Sequence, residues 1–167
     1  MSVQSFGDRH TVSKLETVER YLQMYVTALK NQPFELLYVD ACAGSGSSVP
    51  RAAFRAAEDE KQHALSGFAT PVADTDEIIV GSAVRALGVD PPFHRYLFND
   101  VKPSNVKALR QSIEGRFSHL ADRVEITRLD ANSMLRQLCS SYNWRKTRAV
   151  VFLGSKLNQP LENRWSH

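Results

Sequence analysis

Cysteine is scarce in this chain. There are two in 167 residues, Cys42 and Cys139, far apart and outside any C-x-x-C spacing. That excludes a disulfide framework and a zinc site built on cysteine pairs. Long apolar runs are missing as well: nothing approaches the roughly 18 consecutive apolar residues of a membrane span. The segment from Met1 to Arg9 lacks the apolar core of a secretory signal, so the expected location is cytoplasmic. The histidines His10, His63, His94, His119 and His167 show no metal-ligand spacing with a cysteine or a carboxylate pair. No G-x-S-x-G elbow is present, because Gly44-Ser45-Gly46 has the wrong spacing for a hydrolase. Internal repeats and low-complexity tracts are absent.

Neither sign of charge dominates: 21 Lys and Arg stand against 18 Asp and Glu, a net of +3. The surplus is local. Residues 140–167 carry Arg145, Lys146, Arg148, Lys156 and Arg164 against the single acid Glu162, whereas the preceding chain is slightly acidic. The basic balance therefore describes the C-terminal stretch and not the domain. Trp144 followed by Arg145, Lys146 and Arg148 has the composition that stacks on and neutralises a nucleic-acid strand. The preferred reading is a solvated linker before the next strand, with a nucleic-acid partner left open.

What is present is a 43% apolar chain with enough core for one compact domain. Leu15, Val18, Leu22, Tyr25, Val26 and Leu29 recur at spacings of three and four, which predicts an amphipathic helix over 13–30. Ser13 and Glu16 have the form of a capping box, and Pro33 ends the element. Phe34 to Asp40 is an apolar run between Pro33 and a glycine turn, as expected of a strand buried on both faces of a parallel sheet. The stretch 47–80 reads as an insertion, with a helical piece over 51–65 and turn residues over 67–76.

A short helix follows from Ser82, its expected cap, to Gly88. Arg95 to Asp100 is a second strand, and Pro103 opens a helix that buries Val106, Leu109, Ile113 and Phe117. Val124 to Leu129 is a third strand ending in Asp130. A helix over 133–140 with Asn132 as cap and Met134, Leu135 and Leu138 inward comes next. Ala149 to Leu153 is the fourth strand. Alternation of this kind predicts βαβ units and an α/β fold with a parallel sheet.

The informative run is Val39-Asp40-Ala41-Cys42-Ala43-Gly44-Ser45-Gly46. An acid at the end of a first strand meets a G-x-G turn, and open α/β sheets bind ligands outside the carboxyl ends of their strands. No G-K-[ST] follows, so this is not a phosphate loop. The third glycine of a dinucleotide fingerprint is also missing. A lone G-x-G can equally build a plain strand–helix turn. Asp40, Asp100 and Asp130 nevertheless fall at three successive strand ends. A carboxylate after the second strand suits ribose hydroxyls, and one after the third suits an adenine amino group, with the Ala131 N–H near a ring nitrogen. Read singly, each acid is an ordinary helix cap.

These features resemble class I S-adenosylmethionine-dependent methyltransferases. More specifically, the chain resembles the three-Cys-motif partner protein family (TcmP) over about residues 10–153. The resemblance rests on the leading helix His10 to Lys30, the run Leu37 to Gly46, Gly81-Ser82, Phe93 to Asp100, and Asp130-Ala131-Asn132. It implies a Rossmann-like three-layer fold with strand order 3-2-1-4. It divides the chain into an N-terminal helix (1–33), a partial methyltransferase-like domain (34–153) and a divergent tail (154–167).

The implied cofactor is S-adenosylmethionine, held by Asp40, Ala41, Gly44, Gly46, Asn99, Asp100, Asp130 and Ala131. On this reading Asp40 orients the loop and the cofactor's amino group, Asp100 with Asn99 beside it holds the ribose, and Asp130 holds the adenine. No metal is implied. The family name implies a three-Cys-motif protein partner, and Cys42, where the family carries a bulky apolar residue, reads as a small buried hydrophobe. The family's D-P-[FY]-G loop after the fourth strand is replaced by Gly154-Ser155-Lys156-Leu157. The expectation is therefore a truncated chain with an apolar edge at Val150 to Leu153, whose activity the missing loop puts in doubt. No catalytic residue or methyl acceptor is assigned. The alternative is a catalytically silent Rossmann-fold module that binds a protein or nucleic acid.

Overall fold

The computed structural model describes residues 5–48 and 79–154. The expected helical piece over 51–65, most of the 47–80 insertion and the tail after Gly154 lie outside the described residues. Helix α1 runs Ser5–Leu29, β1 Glu35–Asp40, β2 Ser47–Ser48, β3 Ile79–Val80, α2 Ser82–Leu87 and β4 Arg95–Asn99. Then come α3 (Pro103–Arg116), a 3-10 turn (Ser118–Arg123), β5 (Val124–Thr127), α4 (Ala131–Ser141) and β6 (Thr147–Phe152).

Four strands form one parallel sheet in the order β5-β4-β1-β6, the expected 3-2-1-4. Leu37 to Asp40 pair with Arg95 to Phe98 on one side, and Glu35 to Asp40 pair with Thr147 to Phe152 on the other. The switch point, where the strand order reverses, lies between β1 and β6, and the glycine turn that follows β1 stands beside it. β2 and β3 make a separate two-stranded antiparallel ribbon.

Alternation along β1 and β4 sends side chains to two cores, as strand geometry requires. Leu36, Tyr38, Tyr96 and Phe98 meet Leu22 and Val26 of α1, Ala83, Ala86 and Leu87 of α2, and Leu109 and Ile113 of α3. Leu37, Val39 and Leu97 meet Met134 and Leu138 of α4. Among the described residues three helices thus cover one face and one helix the other. The aromatic rings of Tyr38, Phe93, Tyr96 and Phe98 pack edge-on and tilted in the first core.

Three expected helix starts are corrected. α1 begins at Ser5, so Ser13 is a helix-interior residue whose carbonyl accepts from Thr17 Oγ1 (2.8 Å) and not a cap. The capping-box pattern there was overridden by continued helical pairing upstream. Gly81, not Ser82, caps α2, because the Ser82 hydroxyl is spent on Asp40. Asp130, not Asn132, caps α4, which starts at Ala131. Elsewhere the expected boundaries agree with the structure to within about two residues at most ends. Phe117 lies just past α3, half-buried against the first core. No helix among the described residues is long and apolar enough to cross a membrane.

Candidate functional site

The turn after β1 is built by glycine conformations. Gly44 and Gly46 both have positive φ, at 66° and 84°, where a Cβ is strained. Their surroundings differ. Among the described residues a Cβ on Gly44 would meet nothing within 4 Å, so none of them closes the turn there. A Cβ on Gly46 would press Val84 Cγ2 at 3.0 Å and Leu109 Cδ1 at 3.2 Å. Gly46 is the residue that lets α2 and α3 approach the turn, and Gly44 is the one that faces free space. Gly81 donates to the Gly46 carbonyl at 2.8 Å, and a Cβ on it would sit 2.9 Å from that same oxygen.

Asp40 is completely buried beneath the turn. Its Oδ1 accepts from the Cys42 amide (3.1 Å), and its Oδ2 accepts from Ser82 Oγ (2.5 Å) and more weakly from the Tyr38 hydroxyl (3.5 Å). Burial pushes its carboxyl up to about 6, partly offset by these hydrogen bonds, and Asp100 pushes in the same direction. The Tyr38 hydroxyl is raised well above its ordinary value by burial and by Asp40. Orientation of the loop by Asp40 is what the Cys42 contact provides. A carboxylate with no exposed surface offers nothing to a ligand amino group in this conformation, so that half of the expectation finds no contact.

Asp100 stands at the carboxyl end of β4 and reaches back to the turn. Its Oδ2 accepts from the Gly44 amide at 3.0 Å, and its Oδ1 accepts from the Lys102 amide at 2.9 Å and Asn105 Nδ2 at 3.1 Å. It keeps a sliver of exposure, 7%. Asp100 and Gly44 are therefore brought together across 56 positions of sequence.

Asn99 is a clip. Its Nδ2 donates to the Ala41 carbonyl (3.1 Å) and the Leu129 carbonyl (2.8 Å), while Oδ1 accepts from Thr127 Oγ1 (2.8 Å) and the Leu129 amide (2.9 Å). All four hydrogen-bonding positions of the amide are filled, and the residue is 1% exposed. Asn99 thus ties the ends of β1, β4 and β5 together; it has no group left for a ribose. Ala41 is likewise buried, its amide on the Phe152 carbonyl at 3.0 Å.

Asp130 is exposed and caps α4, with Oδ1 accepting from the Asn132 and Ser133 amides at 3.1 Å each. Hydrogen bonds from Ser133 hold its carboxyl below the ordinary range. Ala131 opens that helix at the rim. Of the three strand-end acids, one is sealed, one latches the glycine turn and one caps a helix.

Sequence reasoning missed Ser82, Asn105 and Thr127. Ser82 and Thr127 act through polar contacts to residues 42 and 28 positions away, and Asn105 through one to Asp100 five positions away, none of which periodicity registers. Among the described residues no group of acids, histidines and cysteines is placed to hold a metal. No disulfide joins Cys42 and Cys139. Cys42 is half-buried and packs 3.6 Å from where a Gly154 Cβ would lie, close to the small-hydrophobe reading.

The Trp144 segment is partly consumed by the fold. The indole N–H donates to the Cys139 carbonyl (2.9 Å), and Arg148 donates to the Trp144 and Thr147 carbonyls while its guanidinium lies 4.0 Å over the Phe34 ring. That arrangement is a packed corner leading into β6. A cavity of about 490 Å³ lies beneath α4 at the amino ends of the strands, lined by Glu35, Arg95, Glu125, Met134 and Lys146 among others. None of the sequence-predicted site residues lines it.

No family model matches the chain, and no curated protein matches it. Among solved structures it is similar to protein LPL1258 from Legionella pneumophila str. Philadelphia 1, whose description carries family-model DUF519. The TM-score is 0.53 at 14% identity, over 87% of this chain and 56% of that one. This likeness is one of fold. The chain spans little more than half the length of that structure.

Proposed function

We propose that this chain is an S-adenosylmethionine-binding, methyltransferase-like protein akin to the three-Cys-motif partner family. The observation that carries the reading is the Gly44–Asp100 pair. An open glycine turn at the carboxyl end of the first strand is tied to an acid at the end of the second, at the switch point of a 3-2-1-4 parallel sheet. Sites of that kind take nucleoside-containing ligands, with backbone close to the ligand and a carboxylate for ribose hydroxyls.

The residues fit such a group. Gly44 leaves open space where a side chain would stand, and Asp100 retains exposed surface. In this reading Gly44 lines the cofactor, Asp100 accepts from its ribose, and Asp130 with the Ala131 amide lies at the adenine end. Asp40, Ala41, Asn99 and Gly46 shape the crevice from beneath without touching the ligand. Bound S-adenosylmethionine would supply the electrophilic methyl carbon, and the chain's residues would orient it. A three-Cys-motif protein is the partner proposed, on the family likeness. No catalytic residue or methyl acceptor is proposed.

Titration calorimetry with S-adenosylmethionine and S-adenosylhomocysteine tests this. Saturable binding is expected, weakened about tenfold or more in Asp100→Ala, the scale of losing a charge-assisted hydrogen bond. Circular dichroism would verify that the variant is folded. Absence of heat at millimolar ligand overturns the proposal and leaves the silent binding module.

A further inference from the structure

We infer that Asn105 is a positioning residue for the Asp100 carboxylate and, through it, for the glycine turn. The inference rests on the cofactor-crevice reading and adds to it the group that sets the crevice's geometry before a ligand arrives.

Asp100 follows β4 and precedes α3, on a connection of three residues, Asp100 to Lys102. Its side chain would be free to rotate there unless something held it. Two donors hold Oδ1: the Lys102 amide at 2.9 Å and Asn105 Nδ2 at 3.1 Å. Those two bonds fill the usual acceptor capacity of that oxygen. Among the described residues Oδ2 takes only the Gly44 amide, at 3.0 Å, which leaves acceptor capacity for one hydroxyl. The Lys102 bond is a local turn contact that several orientations of the carboxylate could make. The Asn105 bond comes from the third residue of α3 and fixes which oxygen faces the helix and which faces the turn.

Asn105 is itself anchored. Its helix is held to the first core by Val106, Leu109 and Ile113, all buried, and Leu109 lies under Gly46. The same helix therefore supports the turn twice, once by packing beneath Gly46 and once by aiming Asp100 at Gly44. A carboxylate aimed in advance loses less conformational entropy when a hydroxyl arrives, which is how preorganisation raises affinity. Asn105 does not need to touch the ligand to do this.

Two variants and two readouts separate this from a general structural role. In Asn105→Ala without ligand, hydrogen exchange of the Gly44 amide should quicken about tenfold, while amides of β1 and β4 keep their protection and the melting temperature stays within a few degrees. Affinity for S-adenosylhomocysteine should fall about tenfold. Asn105→Asp places a second carboxylate beside Asp100. Repulsion between the two carboxylates should weaken binding further than the alanine variant does. An unchanged Gly44 exchange rate together with an unchanged affinity overturns the inference. If wild type does not bind S-adenosylhomocysteine, the crevice reading fails, and the exchange measurement still judges the latch by itself.

Discussion

Asp40 is a buried carboxyl whose burial carries an electrostatic cost at the scale of one residue. Its carboxyl stands at about 6 in the folded chain against an ordinary 3.8, so the folded state holds the proton more tightly than the unfolded one. The favourable contribution is present below the unfolded value and is lost as pH rises through the folded value. Stability should therefore decline between about pH 4 and pH 6 on account of this group, by on the order of 3 kcal/mol. Asp40→Asn keeps an acceptor for the Cys42 amide and cannot ionise. Urea midpoints measured from pH 4 to pH 7 should show the variant gaining on wild type as pH rises. A difference that stays flat over that range would mean the carboxyl is not raised. The neighbouring glycines sort by role at the same scale, since Gly44 faces open space whereas Gly46 and Gly81 are demanded by packing.

Among α2, α3 and α4, the start of α4 is the one set by a side-chain cap, and Asp130 supplies it. The acid at the end of the third strand reads in sequence either as a ligand group or as a cap. The structure shows it accepting from two amides of the first turn of α4. Asp130→Ala should lower the urea midpoint, as loss of an N-cap does, and Asp130→Ser should recover most of the loss. An unchanged midpoint in Asp130→Ala would mean that tertiary packing alone holds α4.

The strands were legible because their apolar runs are bounded by Pro33, glycine turns and acids. The stripe of α1 was legible too, with Leu15, Leu22 and Val26 buried as spaced. Cap identities were not, because a hydroxyl or an acid can serve either a nearby amide, as Asp130 does, or a distant side chain. Ser82 took the distant one, 42 positions away.

For the whole molecule, the uneven cover of the sheet has consequences. β6 pairs with β1 on one side, and among the described residues no strand pairs with its other side. On the face that α4 alone covers among the described residues, Val151 and Leu153 are 40% and 42% exposed. An edge strand whose second half, Ala149 to Phe152, is apolar invites association. Wild type should show a sedimentation coefficient that rises with concentration, and Val151→Lys should suppress the rise, a charge on the edge being the usual protection. Equal behaviour of the two proteins would show that β6 is not the contact.

The sequence by itself determined the α/β class, the four strands and their helices. Those follow from local periodicity and from turn residues that act over a few positions. It also marked the first strand's end as the place of interest. Only the tertiary structure decided what each marked residue does there. Asp40, Asp100 and Asp130 look alike along the chain, but burial sealed one, a 56-residue reach joined the second to Gly44, and a helix start claimed the third. Asn99 became a clip because β1, β4 and β5 converge on it. A hydrogen bond forms between groups that folding brings within about 3 Å, and spacing along a sequence does not encode that distance.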